Sequence, residues 1–150
     1  MKNYRISNGC AMLLILLFLY TGFSKLFDYE ITREQMAKSP FISGLSGTIA
    51  WLVPIAEIII SIGLYVRPLK IYAFHASVFL MSMFTAYVYF MLHFSYYLPC
   101  SCGGVLSALD WNSHLWFNIV FLVIAVVGSV VEIKARSYQQ HRLANVKLGL

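Results

Sequence analysis

Charged residues divide the chain into long uncharged stretches. Ile6–Ser24 (19 residues) contains no Asp, Glu, Lys or Arg, and neither do Ser39–Ala56 (18), Ile71–Leu109 (39) and Trp111–Val131 (21). Between Ser39 and Val66 the single charge is Glu57. A bilayer's hydrocarbon core takes about 20 mostly apolar residues of helix. The pattern therefore predicts four membrane-spanning helices, over 6–27, 46–66, 71–94 and 113–133. As a single helix the third run would be about 58 Å long, so it must break, and Pro99, Gly103 and Gly104 supply the break. The fold class is an all-α membrane protein: a four-transmembrane-helix bundle forming one integral membrane domain over 1–150.

The connections add detail. In Asp28–Gly47, Thr32 followed by Gln35 has the spacing of a capping box. It predicts a short surface helix over Arg33–Lys38, closed before Pro40. Residues 95–112 read SYYLPCSCGGVLSALDWN and form a loop between the third and fourth spans; 134–150 form a basic tail.

Composition agrees with the membrane assignment. Hydrophobic residues make up 60% and charged residues 11%, against about 25% charged in a soluble domain. A soluble enzyme, a disordered tail and a secreted disulfide scaffold are excluded. The net charge of +5 does not signal nucleic acid, because the basic residues flank the apolar runs. Their distribution encodes topology. Lys2, Arg5, Arg67, Lys70, Lys134, Arg136, Arg142 and Lys147 fall on one side, and Lys25, Arg33 and Lys38 on the other. Eight against three places both termini in the cytoplasm. Trp51, Trp111 and Trp116 then lie near the opposite interface. Lys2 and Arg5 ahead of an apolar stretch also look like a signal peptide, but no A-x-A-like site follows and three more spans do, so this is the first helix of a multipass protein.

Chemistry concentrates in two places. Cys100-Ser101-Cys102, followed by Gly103-Gly104, falls on the extracytoplasmic side, where disulfides are permitted. A disulfide across one residue closes a small, strained ring, which suits exchange more than stapling. Its own segment offers no cation to stabilise a thiolate. His93, His114, Lys25, Arg33 and Lys38 are the available sources, with His114 the preferred proton shuttle or thiolate partner. The bland alternative for His114 is an interfacial histidine bonded to Asp110 or Asn118, the latter one turn away on the same helix face. A Cys₂His₂ metal site from Cys100, Cys102, His93 and His114, with Met91 as a soft ligand, is a further alternative without supporting spacing.

Glu57 is the other place. A carboxylate inside a span is costly and points to function; the plain alternative is a hydrogen bond between helices. If the second span starts near Trp51, Glu57 lies about 9 Å deep and Lys25 reaches towards it. If it starts near Ser46 the depth is about 16 Å and the pair is not expected. The functional reading of Glu57 is a proton carrier or the acid of a quinone site, and Glu57, Lys25 and Asn118 are the residues around which such a cofactor would sit. Cys10 reads as a packing residue, and Gly22, Gly44, Gly47 and Gly63 as helix-packing surfaces.

Several segments resemble one family when taken in order. They are Thr21-Gly22-Phe23-Ser24-Lys25-Leu26, Pro54-Ile55-Ala56-Glu57, Gly63-Leu64 ahead of Arg67–Lys70, and Cys100-Ser101-Cys102-Gly103-Gly104 followed by Trp111, His114 and Asn118. The chain is similar, over Leu13 to Val131, to the MauE (methylamine-utilisation) branch of the DoxX-like superfamily. That branch often carries C-G-C-F-G at the dithiol; here Ser101 replaces the middle Gly and Gly103-Gly104 replaces Phe-Gly. The resemblance implies a redox accessory protein of the bacterial inner membrane, with a periplasmic thioredoxin-fold partner for Cys100 and Cys102 and a link to quinone chemistry. Two other classes stay open: a non-catalytic scaffold or assembly factor, and a copper- or zinc-handling protein.

Overall fold

The computed structural model describes residues 2–38, 43–94 and 111–147. Their regular structure is all helical: α1 (Lys2–Phe27), α2 (Tyr29–Ala37), a 3₁₀ turn (Ser43–Leu45), α3 (Ser46–Tyr65), α4 (Lys70–Phe94) and α5 (Trp111–Lys147). Four stretches are long and apolar enough to cross a membrane: Tyr4–Phe27, Ser43–Tyr65, Lys70–Phe94 and Asn112–Gln140. The last passes the expected end at Ile133, and α5 continues to Lys147. Its continuation holds neither Gly nor Pro, so nothing in the sequence stops the helix.

The spans pack as a four-sided ring. α1 lies against α3 and α5, and α4 against α5 and α3. Alternation of direction makes each span antiparallel to both neighbours. One end of the bundle gathers the start of α1, the α3–α4 turn and the later part of α5. The other end gathers the end of α1, helix α2, and the starts of α3 and α5.

α2 differs from its sequence expectation in a specific way. Only Asp28 separates it from α1, and the Thr32 amide donates to the Asp28 carbonyl at 2.9 Å. Thr32 is therefore already inside the helix and is not its N-cap; Asp28 holds that position without a side-chain capping bond. The spacing to Gln35 is incidental. Thr32 and Met36, one turn apart, are the buried face, and Tyr29 packs its ring on Trp51 at 5.3 Å, so α2 covers the first turns of α3.

Lipid accepts apolar side chains as readily as the bundle does, so apolarity does not decide what goes inside. Leu14, Phe18, Phe74 and Met81 form a buried core, while Met12, Leu16, Ile59 and Phe79 face outward. Small and polar residues are preferentially interior: Ser7, Thr21, Ser61, Ser77 and Ser129 are all buried. Gly128 shows what small size does. A Cβ there would clash with the Phe74 ring and stand 3.0 Å from the Cys10 Cβ. α1, α4 and α5 therefore meet at a point that only a bare backbone allows, and Cys10 is a packing residue.

A buried carboxylate ties the end that carries the α3–α4 turn. Glu132 accepts a hydrogen bond from the Ser7 hydroxyl at 2.7 Å, pairs with Lys70 at 3.5 Å and takes the Arg136 guanidinium at 3.1 Å. Lys70 also donates to the Asn8 side chain at 2.6 Å, and Arg136 to the Arg67 carbonyl at 2.7 Å. One acid thus joins α1, α4, α5 and the turn. With both oxygens satisfied, the network fixes the register of these helices.

The Gly128 contact predicts that Gly128→Ala destabilises the protein by about 1–3 kcal/mol through overpacking. Gly9→Ala, where a Cβ meets nothing within 4 Å, should have little effect. Thermal unfolding in detergent measures both, and Phe74→Leu should restore most of the loss in Gly128→Ala.

Candidate functional site

The second interior carboxylate lies towards the opposite end. Lys25 Nζ stands 2.6 Å from Glu57 Oε1, with side-chain exposures of 7% and 0%. α3 does begin at Ser46, the case in which helix length alone puts Glu57 out of Lys25's reach. The pair forms all the same, with α1 packed along α3 and α2 folded beside the first turns of α3. Side chains lean towards their helix N-termini, so in this antiparallel pair the two groups lean towards each other.

Close approach of the backbones completes the arrangement. A Cβ on Gly22 would stand 3.3 Å from the Pro54 carbonyl oxygen and 3.4 Å from Glu57 Oε2. Pro54, buried within α3, lacks the amide that would bond back one turn. Membrane helices tolerate such a residue where neighbouring groups are near. The Lys25 ammonium also lies 4.9 Å from the centre of the Phe84 ring, a favourable cation–π contact in a desolvated place. The Ser61 hydroxyl donates to the Glu57 carbonyl at 2.9 Å.

Lys25, Glu57 and Phe84 line a cavity of about 460 Å³ between α1, α3, α4 and α5, with Met36 of α2 also in its wall. α3 and α4 touch closely near their shared turn, where a Cβ on Gly63 would be 3.0 Å from the Ala73 Cβ. Further along, the cavity parts them. Leu52, Phe79 and Met83 line it and are also exposed on the lipid-facing surface, so it opens sideways between the two helices. Its walls are mostly apolar. Its polar side comprises Thr21, Lys25, Glu57, Tyr87, His114 and Asn118. Two polar atoms there are buried without a hydrogen-bond partner: Glu57 Oε2 and the Tyr87 hydroxyl.

Lys25, Glu57, His114 and Asn118, all singled out in the sequence, meet at this cavity. Lys25 and Glu57 form its ion pair; His114 and Asn118, both buried, line it from α5 one turn apart. Cys100 and Cys102 lie outside the described residues, as does Asp110. His93 is exposed at the end of α4, stacked on Tyr89 at 4.3 Å, while His114 is interior, so the two histidines of the considered Cys₂His₂ set face different surroundings. Among the described residues, no three His, Cys, Asp or Glu side chains gather as metal ligands. Arg33 is exposed and pairs with Glu30 at 3.7 Å.

Two features had no distinct sequence signal. Tyr87 is one of ten tyrosines. Glu132 closes an uncharged run, and its partners Lys70 and Arg136 count equally well as topology cations; the Glu132-to-Arg136 spacing of one turn was the available hint.

Removing one member of the Lys25–Glu57 pair strands a charge in an apolar interior. Lys25→Met should cost about 3–5 kcal/mol, read as a large drop in thermal stability in detergent. The double variant Lys25→Met/Glu57→Leu should recover most of it.

No curated protein and no solved structure matches the chain. A family model described as methylamine utilisation protein MauE matches residues 4–131. That range holds every residue of the cavity, and the chain therefore belongs to the MauE family of small DoxX-like membrane proteins.

Proposed function

We propose that this protein is a thiol–disulfide redox protein of the bacterial inner membrane. Its Cys100/Cys102 pair exchanges electrons with a periplasmic thioredoxin-fold partner and with a quinone held in the cavity. The charge bias supports cytoplasmic termini and a periplasmic Lys25 end. MauE-family membership supports an accessory role in methylamine utilisation.

The observation that carries the reading is the gathering of Lys25, Glu57, His114 and Asn118 about one laterally open apolar cavity. It lies towards the end where α4 stops and α5 starts, and the cysteine segment joins those two helices in the sequence. A site that is apolar along its walls and polar at one side suits a lipid-soluble molecule with a polar head. Lys25 has three ammonium hydrogens and spends one on Glu57; the rest, with His114 and Asn118, can hold carbonyl oxygens. A quinone bound there would supply a two-electron, two-proton redox partner for the thiols. In the exchange itself, one thiolate attacks the partner's disulfide and the other cysteine resolves the mixed disulfide. His114 is the group suited to carry the proton.

Replacing the resolving cysteine should therefore trap the intermediate. Of Cys100→Ser and Cys102→Ser, at least one is expected to accumulate a covalent adduct with a periplasmic protein, seen on a non-reducing gel after thiol blocking. Absence of any adduct from both, together with full function of Cys100→Ser/Cys102→Ser in cells, overturns the redox reading in favour of a scaffold.

A further inference from the structure

We propose that the end of the bundle carrying the α3–α4 turn holds the phosphate of an anionic phospholipid, with the Arg67 guanidinium as its main ligand. The site is separate from the cavity and from the thiols. Its basis is a local excess of positive charge. Of the chain's six acidic residues Glu132 alone belongs to this side of the spans in the sequence, against eight of the eleven Lys and Arg. The Glu132 network absorbs only part of the excess. Lys70 is buried, pairing with Glu132 at 3.5 Å and donating to Asn8 at 2.6 Å. Arg136 pairs with Glu132 at 3.1 Å and donates from Nη2 to the Arg67 and Pro68 carbonyls, at 2.7 and 3.3 Å. Two cations meet one acid there, so the network keeps a positive charge.

Arg67 adds another beside it. Its guanidinium stands 5.5 Å from the centre of the Tyr4 ring, and the Lys70 ammonium stands 5.4 Å from the same ring. Arg67 is exposed, and among the described residues no carboxylate pairs with it. A guanidinium offers five N–H donors in a planar fork that fits two oxygens of a phosphate at once. The Tyr4 ring gives this fork a platform, and Arg136 fixes the backbone that carries it. The ligand therefore meets a site that is largely ordered beforehand.

Height in the membrane decides where the phosphate comes from. α3 ends at Tyr65 and α4 starts at Lys70, and both belong to candidate spans. Arg67 thus lies in a turn at the bilayer surface, where headgroup phosphates lie. Tyr65 and Leu69, on either side of it in the chain, are exposed and suited to the acyl chains of the same lipid. A small soluble anion would meet the charge but leave these side chains unused. A zwitterionic headgroup brings its own cation into a region already rich in them. An anionic one does not, and basic pockets between transmembrane helices bind such headgroups.

The test uses the full chain in dodecyl maltoside at physiological ionic strength. Dioleoylphosphatidylglycerol is titrated in, and affinity is read from the rise of the unfolding temperature with lipid concentration. Dioleoylphosphatidylcholine carries the same acyl chains, and inorganic phosphate the same acid; both are titrated in parallel. The anionic lipid is expected to bind at least about tenfold more tightly than either, as charge-assisted hydrogen bonds require. Arg67→Gln should weaken it by a similar factor. Lys134→Gln removes the same charge from the far side of α5, two residues from Arg136, and should change the affinity less than about twofold. If Arg67→Gln does not fold, Arg67→Lys, which keeps the charge and loses the fork, should still weaken binding at least about threefold. An equal response to the zwitterionic lipid, an unchanged response in the folded Arg67 variant, or an equal loss in Lys134→Gln overturns the site. An equal response to inorganic phosphate overturns its assignment to lipid.

Discussion

A charge inside the hydrocarbon core must be met by another group, and in this bundle two carboxylates decide where the helices go. Glu132 and Glu57 are both interior, near opposite ends, and each has drawn a lysine out of reach of lipid. Lys70 starts α4 and Lys25 lies in the last turn of α1, so each pair fixes one helix against another at a set height. The apolar contacts between them would tolerate sliding, since a leucine loses nothing by turning from a neighbour to a lipid tail. The ion pairs would not, because a slip of one turn strands both partners.

The two ends differ in completeness. At the Glu132 end both carboxylate oxygens are engaged, through Ser7, Lys70 and Arg136, and Arg136 goes on to hold the α3–α4 turn. At the Glu57 end one oxygen and the Tyr87 hydroxyl are left without partners, and the two residues border a cavity. A satisfied network specifies structure. The same residue chemistry therefore makes a closed clamp at one end and a partly engaged pair at the other.

The helices were legible in the sequence because uncharged runs measure the thickness of the bilayer directly. His114 and Asn118 were legible as neighbours because four residues make one turn of a single helix. The Lys25–Glu57 pair was legible only in its residue types. Its geometry depends on the relative height of α1 and α3, and no count along either helix contains that offset. Thr32 and Gln35 illustrate the reverse error. A local spacing looked like a helix start, but the chain had already re-entered a helix at Tyr29. Glu132 was hidden because a cation beside a membrane span always has a topological explanation, so Lys70 and Arg136 gave no sign of being partners.

Neutrality of the Lys25–Glu57 pair also bears on the thiols. Residues 95–109 contain no cation. Lys25, buried in the bundle, has its field largely cancelled by a carboxylate 2.6 Å away. His93 is turned outward against Tyr89, and Arg33 is exposed beside Glu30. Of the other groups able to favour a thiolate, Lys38 is exposed just past α2, and His114 is buried on α5, three residues after that helix begins. A dithiol in a cation-free segment has no positive charge of its own segment to favour its thiolate. On the redox reading, its reactivity would then depend on a docked partner bringing charge with it, and a cavity that stays uncharged keeps its affinity for a neutral ligand whichever state the thiols are in.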